Sequence, residues 1–315
     1  MRMTEEVRTL MQDADPARDI LGNAQQARAD LDRIMHVGAV TTQLPTAQRG
    51  RKPRVRLGLT VGAACAAAAL AFAVLPQGAG GTAYAATPPP LHYTTISTTL
   101  SPSAMLKRIA EHASTLREPI GPQSRLHYKD WSLNTRVYAD DSVTSEIVAE
   151  DHQTVTRADG SGTERRTGED GHTETYKTKW TPAPADPAAL KAWLTRGNVP
   201  FTNAMGAAAT AGELLRSQAL SPVQRATLLN AIADLPGLTF DGKVTDRVGR
   251  VGQAFSAESS RSGLPTRYTF IVNSSSGTIT GQEEMLTKTA GKLNVPVPSV
   301  IGYTVYLKAQ RTADQ

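Results

Sequence analysis

Cysteine is almost missing from this chain: Cys65 is the only one in 315 residues. A lone thiol excludes an intramolecular disulfide and any metal site built from two or more thiolates. Aromatic residues amount to 5%, too few for a platform that stacks bases or sugars. Catalytic signatures are also absent: there is no Walker loop, nucleophile elbow or His-Glu-x-x-His. The six histidines stand singly at positions 36, 92, 112, 127, 152 and 172. No cofactor motif is found, and the expectation is a protein that binds rather than one that catalyses.

Charge of either sign is missing from Leu57 to Leu75. At about 1.5 Å per helical residue this run spans roughly 28 Å, close to the hydrocarbon thickness of a bilayer. Arg49, Arg51, Lys52, Arg54 and Arg56 precede it, and no Lys or Arg follows until Lys107. The positive-inside bias therefore predicts a single transmembrane helix over 57–75, with residues 1–56 in the cytoplasm and the C-terminal part outside. The competing expectation is a cleaved secretory signal, because Ala83-Tyr84-Ala85 has the small-x-small form of a cleavage site. Against it, the basic cluster lies some fifty residues into the chain, and the apolar run exceeds the usual 7–15 residues of a signal core.

The net charge of +5 and pI near 9.3 suggest nucleic acid until the charges are divided by compartment. Ten of the 34 basic and seven of the 29 acidic residues precede Leu57, leaving 24 and 22 for the remainder. The outer part is almost neutral. The basic surplus sits where it can attract anionic lipid, so the membrane and not nucleic acid is the expected partner.

Within 1–56, Ile20, Leu21, Ala24, Ala27, Leu31, Ile34 and Met35 recur near helical spacing. Ile20, Leu21, Leu31 and Ile34 form a candidate face for a cytoplasmic partner, the alternative being a weakly structured tail. In the apolar run, Gly58, Gly62 and Ala66 lie at the spacing that lets two helices approach closely, a candidate homodimer face. Residues 76–90, rich in Pro and Gly, read as a spacer.

Residues 91–315 alternate between two patterns. A short β-rich stretch at 92–98 and a helix after Ser101-Pro102 precede strands over 124–180, with turns at Asp159-Gly160 and Asp170-Gly171. Helices are predicted from Asp186-Pro187, over 202–218 and from Ser221-Pro222, and further strands over 238–307. This order predicts an α+β domain, a large curved antiparallel sheet with one wet face and helices packed on the other. Leu126, Tyr128, Trp131, Leu133 and Trp180 are the candidates for an apolar cleft. Asp140-Asp141 and Glu283-Glu284 read as turn and surface pairs, and Glu283 and Glu284 must point to opposite faces of their strand. His127, His152 and His172 lie on neighbouring predicted strands and read as solvated polar-face residues rather than metal ligands.

Several segments together carry a resemblance. The basic-flanked Ala-rich run, Ala85-Ala86-Thr87-Pro88-Pro89-Pro90-Leu91, Asp186-Pro187-Ala188-Ala189-Leu190, Leu235-Pro236-Gly237-Leu238, Asp246 with Gly249-Arg250, and Gly302-Tyr303-Thr304 resemble an uncharacterised family of actinobacterial single-pass membrane proteins. Members are often encoded near sigma factors. The resemblance implies the same topology, a role in envelope signalling and a sigma factor as the cytoplasmic partner. The strand-helix-strand order is also similar to the open half-barrel of lipoprotein carriers and a related envelope-stress regulator, which implies a lipid or an envelope protein as the outer ligand.

Overall fold

The computed structural model describes residues 86–118, 121–139, 142–196 and 201–312. The expected transmembrane helix, the partner face of Ile20, Leu21, Leu31 and Ile34, the helix-dimer face of Gly58, Gly62 and Ala66, and Asp140-Asp141 lie outside these residues. Among the described residues no helix is long and apolar enough to cross a membrane.

Strand β1 (Tyr93–Thr94) and helix α1 (Pro102–Ser114) precede a meander of β2 (Gln123–Val137), β3 (Val143–Thr156), β4 (Ser161–Gly168) and β5 (Thr173–Lys179). Helices α2 (Pro187–Thr195), α3 (Ala204–Ser217) and α4 (Pro222–Ala233) follow, then β6 (Thr239–Thr245), β7 (Val251–Ser259), β8 (Thr266–Val272), β9 (Ile279–Leu286) and β10 (Ser299–Thr312). The ten strands form one antiparallel sheet in the order β1-β6-β7-β8-β9-β10-β2-β3-β4-β5. The last strand joins the two meanders by pairing with both β9 and β2. The expected α+β sheet with helices is thus observed, and β2 is a single strand of 15 residues.

Local chemistry explains the helices. Each begins with a side chain that accepts a hydrogen bond from a first-turn amide: Ser101 from Ala104, Asp186 from Ala189, Asn203 from Gly206 and Ser221 from Gln224. At α4 the Gln224 carboxamide also accepts from the Ser221 amide at 3.0 Å, completing a capping box. Pro is fixed at the first helical turn in α1, α2 and α4.

Half of helix α3 is Ala or Gly. Its small side chains allow close approach to the sheet, and it contacts β7, β8, β2 and β3. Ala207, Ala211, Leu214, Leu228, Leu229 and Ile232 pack with Phe255, Phe270, Tyr268, Leu126 and Tyr128 in the main core. Phe255 and Phe270 are cross-strand partners and fully buried, and the Phe240 ring lies 5.2 Å from that of Phe255.

The opposite sheet face is wet, as expected, across β2, β3 and β4, where Lys129, Gln153, Thr163 and Arg165 are exposed, but it is covered elsewhere. Val244, Ala254 and Ile271 pack there with Leu91 and Tyr93 from the N-terminal segment, while Trp131, Leu133, Leu286 and Val295 form another apolar cluster with Leu264 and Leu293. The segment 87–94 is therefore a strap across this face. Gly242 makes room for it, because its φ of +112° suits only glycine and a Cβ there would stand 2.2 Å from the Thr94 carbonyl oxygen.

Candidate functional site

The five residues expected to line one apolar cleft do not do so. Strand β2 pairs with β3 without a break in register, so alternation sends Leu126 and Tyr128 into the helix-packed core and Trp131 and Leu133 to the other face. Trp180 lies half-buried just beyond β5 and belongs to neither cluster. The apolar surface of the sheet is filled by its own helices and loops.

A polar cleft of about 340 Å³ opens instead between α3 and strands β2, β3, β9 and β10. Register constructs its floor. Glu150 is the cross-strand partner of Asp130, Asp130 of Thr304, and Thr304 of Gln282, so these four side chains form one row on the helix-packed face. The next row is Ser132, Gly302 and Glu284. Gly302 has no side chain, and a Cβ there would meet nothing nearer than 3.8 Å, which leaves the floor open at its centre. Ala208, Ala209 and Arg216 of α3 form the facing wall.

The cleft is acidic. Two carboxylates on paired strands repel each other unless cations intervene, and Arg216 stands 3.9 Å from Asp130 while Arg166 stands 3.6 Å from Glu150. Burial pushes the Glu284 carboxyl above the usual carboxylate range, with the positive charge of Arg216 opposing. Among the described residues Glu284 has no ion pair within 4.0 Å and no side-chain hydrogen bond. Gln282 locks the wall to the floor, donating to the Ala208 carbonyl at 3.2 Å and accepting from the Tyr306 hydroxyl at 2.6 Å. Burial pushes the Tyr306 and Tyr128 hydroxyls up, so both stay neutral at physiological pH.

Beside this floor lies His152. It was read as a solvated polar-face residue, yet it is only 4% exposed. Its ring stacks on Tyr128 with centroids 4.6 Å apart, and Nδ1 lies 2.8 Å from Glu164 Oε1. The bond to His152 holds the Glu164 carboxyl below the usual range, against its burial. Nε2 faces Glu150 Oε2 at 3.4 Å and Asp130 Oδ2 at 3.7 Å and has no hydrogen-bond partner; Asp130 Oδ1 has none either. His127 pairs separately with Asp151 at 2.9 Å, and His172 is exposed near Glu174, so the three histidines do not meet. Among the described residues no group of three or more His, Asp or Glu is arranged to hold a metal ion.

On the opposite face Glu283 holds the strap. It is 3% exposed, not a surface residue, and accepts from Arg247 Nε at 3.0 Å, from Arg247 Nη2 and from the Leu91 amide. Arg247 also donates to the Pro89 carbonyl at 3.0 Å and lies 4.7 Å from the Tyr303 ring centroid, and Tyr303 stacks on Trp131. Nearby, Asp241 accepts from Arg267 and Ser256, Ser256 shares a hydrogen bond with Thr269, and Thr269 shares one with Tyr93.

Strand alternation was the signal in the sequence that separated Glu283 from Glu284. The roles of Asp130, Glu150, His152 and Arg216 had none, because they come from three elements brought together by register and by the seating of α3. Compared with protein-family models, with curated proteins and with solved structures, the chain matches none.

Proposed function

We propose that this protein is a non-catalytic, single-pass membrane protein of the cell envelope whose extracytoplasmic domain recognises a polar ligand in the cleft and conveys its presence toward the membrane. In this reading residues 57–75 anchor the chain, the cytoplasmic stripe meets a regulatory partner such as a sigma factor, and the sheet curves as an open half-barrel. One observation carries it: neighbouring residues of β9 serve the two ends of the path, Glu284 in the cleft and Glu283 at the strap that leads back toward residue 75. A shift of β9 on ligand binding would be felt by Arg247, Pro89 and Leu91 with no intermediate element.

A carrier of lipid or lipoprotein is the weaker reading, since an acyl chain needs an apolar cavity and Leu126, Tyr128, Phe255 and Phe270 are already covered. The test uses the full chain in detergent, with hydrogen exchange followed at the Leu91, His92 and Tyr93 amides. Gly302→Leu, which fills the cleft from its floor, is expected to change the exchange rate of the Leu91 amide at least several-fold. Unchanged exchange in a folded variant would remove the coupling.

A further inference from the structure

We infer that the far end of the β2–β3 hairpin rests on the lipid surface of the membrane and sets which end of the sheet faces the bilayer. This rests on the proposed anchor at residues 57–75 and adds the surface that the outer domain turns toward the lipid.

Antiparallel order places the β2–β3 connection, the β7–β8 turn and the β9–β10 loop at one end of the sheet. Beyond Ser132, β2 pairs with β3 alone, and before Glu150, β3 pairs with β2 alone, so the two strands continue as a ribbon past β10 and β4. Ile147 of the ribbon packs with Leu264, Leu293 and Val295, which holds the turn and the loop against it. At the ribbon end Val137 and Tyr138 are 47% and 41% exposed, and Val297 of the neighbouring loop is 36% exposed. Arg136, Arg261 and Lys288 are exposed at the same end. Apolar side chains, a tyrosine and basic residues together make a surface that settles at the headgroup level of a bilayer. Glu146 is exposed on the ribbon and Asp140-Asp141 belongs to its turn, so the contact depends on Val137 and Tyr138 rather than on net charge.

The path of the chain names the membrane as the occupant. Thr87 bonds to Ser299 at 2.9 Å, and Ser299 opens β10 at this end. The domain is thus entered from the ribbon end. Even fully extended, the chain from Leu75 to Ala86 spans at most about 40 Å, so an anchor ending at Leu75 keeps this end within reach of the lipid surface, and so short a tether favours the contact by effective concentration. Val248 and Val251 are exposed too, but on the β6–β7 turn at the other end, where the chain does not enter.

The test uses the full chain in nanodiscs of phosphatidylcholine and phosphatidylglycerol. With Cys65→Ser as background, a nitrobenzoxadiazole label is placed on Ala139→Cys at the ribbon or on Ser274→Cys at the opposite end, both exposed positions. A phosphatidylcholine spin-labelled near the top of its acyl chains is expected to quench the label at 139 at least ~2-fold more than the label at 274, because interfacial side chains sit at that depth. Val137→Glu combined with Tyr138→Glu, both surface changes, is expected to remove the difference. Equal quenching at the two positions, stronger quenching at 274, or a difference that survives the double variant overturns the proposal. So does a label at 139 that is shielded from aqueous dithionite without being quenched by lipid, since a protein or a second copy then covers the ribbon. Flotation with vesicles of the same lipids tests the anchor separately: a chain that stays behind removes both readings, whereas a chain that floats with equal quenching keeps the anchor and loses the contact.

Discussion

Glu283 and Glu284 are consecutive on β9 and lie on opposite faces of the sheet, the first bonded to Arg247 and the Leu91 amide, the second facing the cleft under α3. Both carboxyls are pushed up by burial. One strand thereby holds two desolvated acids in different surroundings, and each answers differently to substitution.

Removing the partner of Glu283 should be severe. Arg247→Ala leaves a buried carboxylate without its cation, which typically costs about 3–5 kcal/mol, and it also removes the bond to Pro89. Urea denaturation should show that loss together with faster exchange at Leu91. Arg247→Met combined with Glu283→Leu should recover most of the stability but not the protection at Leu91, whose bond to the carboxylate is gone.

The pH response of Glu284 is opposite to that of Glu164. A raised folded pKa means that the native state holds the proton more tightly, so the contribution of Glu284 is largest below the ordinary glutamate value of ~4.3 and declines as pH climbs through its raised value. Glu284→Gln should therefore raise the melting temperature at pH 7 by roughly 2–4 °C, about 1 kcal/mol for a domain of this size, and the gain should vanish near pH 4. Glu164 has a lowered pKa, so its contribution is present above ~4.3 and lost as pH falls through its folded value. Glu164→Gln should lower the melting temperature at pH 7 and make little difference under acid conditions. Melting curves of both variants across pH 3–8 decide both signs.

Gly242→Ala should detach β1. The new Cβ would press on the Thr94 carbonyl in a conformation that L side chains rarely adopt. The expected cost is about 2 kcal/mol or more, with the Tyr93 and Thr94 pairing to Val244 and Lys243 lost. Chemical denaturation measures the first, and amide exchange at β1 the second.

Asp246→Ala should open the β6–β7 turn. Its side chain, 1% exposed, accepts from the Val248 and Arg250 amides and from Arg250 Nε, and Arg250 in turn reaches the Tyr306 and Thr280 carbonyls. Loss of a buried acceptor bonded to charge costs about 1–3 kcal/mol per bond. Exchange at Val248 and Arg250 should rise more than at the fully buried Phe270.

Much of the fold was legible because its signals are local. Ser221-Pro222 with Gln224 announces a helix start, Asp246 with Gly249-Arg250 a tight turn, and Asn273 to Gly277 a hairpin, where the Asn273 side chain accepts from Ser275 and Ser276 amides. His152 was misjudged because alternation names two faces without saying which is covered. Here the face that carries His152 is the one α3 packs on, while the strap and residues such as Leu264 and Leu293 cover only part of the other.

The sequence by itself determined the helix starts, the turns, the α+β order and the separation of Glu283 from Glu284, since each depends on residues a few positions apart. Only the tertiary structure decided that Glu150, Asp130, Thr304 and Gln282 share one row, that Arg216 closes a cleft above them, and that residues 87–94 cover part of the second face. Those relations depend on strand register and on the seating of a helix across long stretches of chain. Many side chains set them jointly through packing, and no short motif records the result.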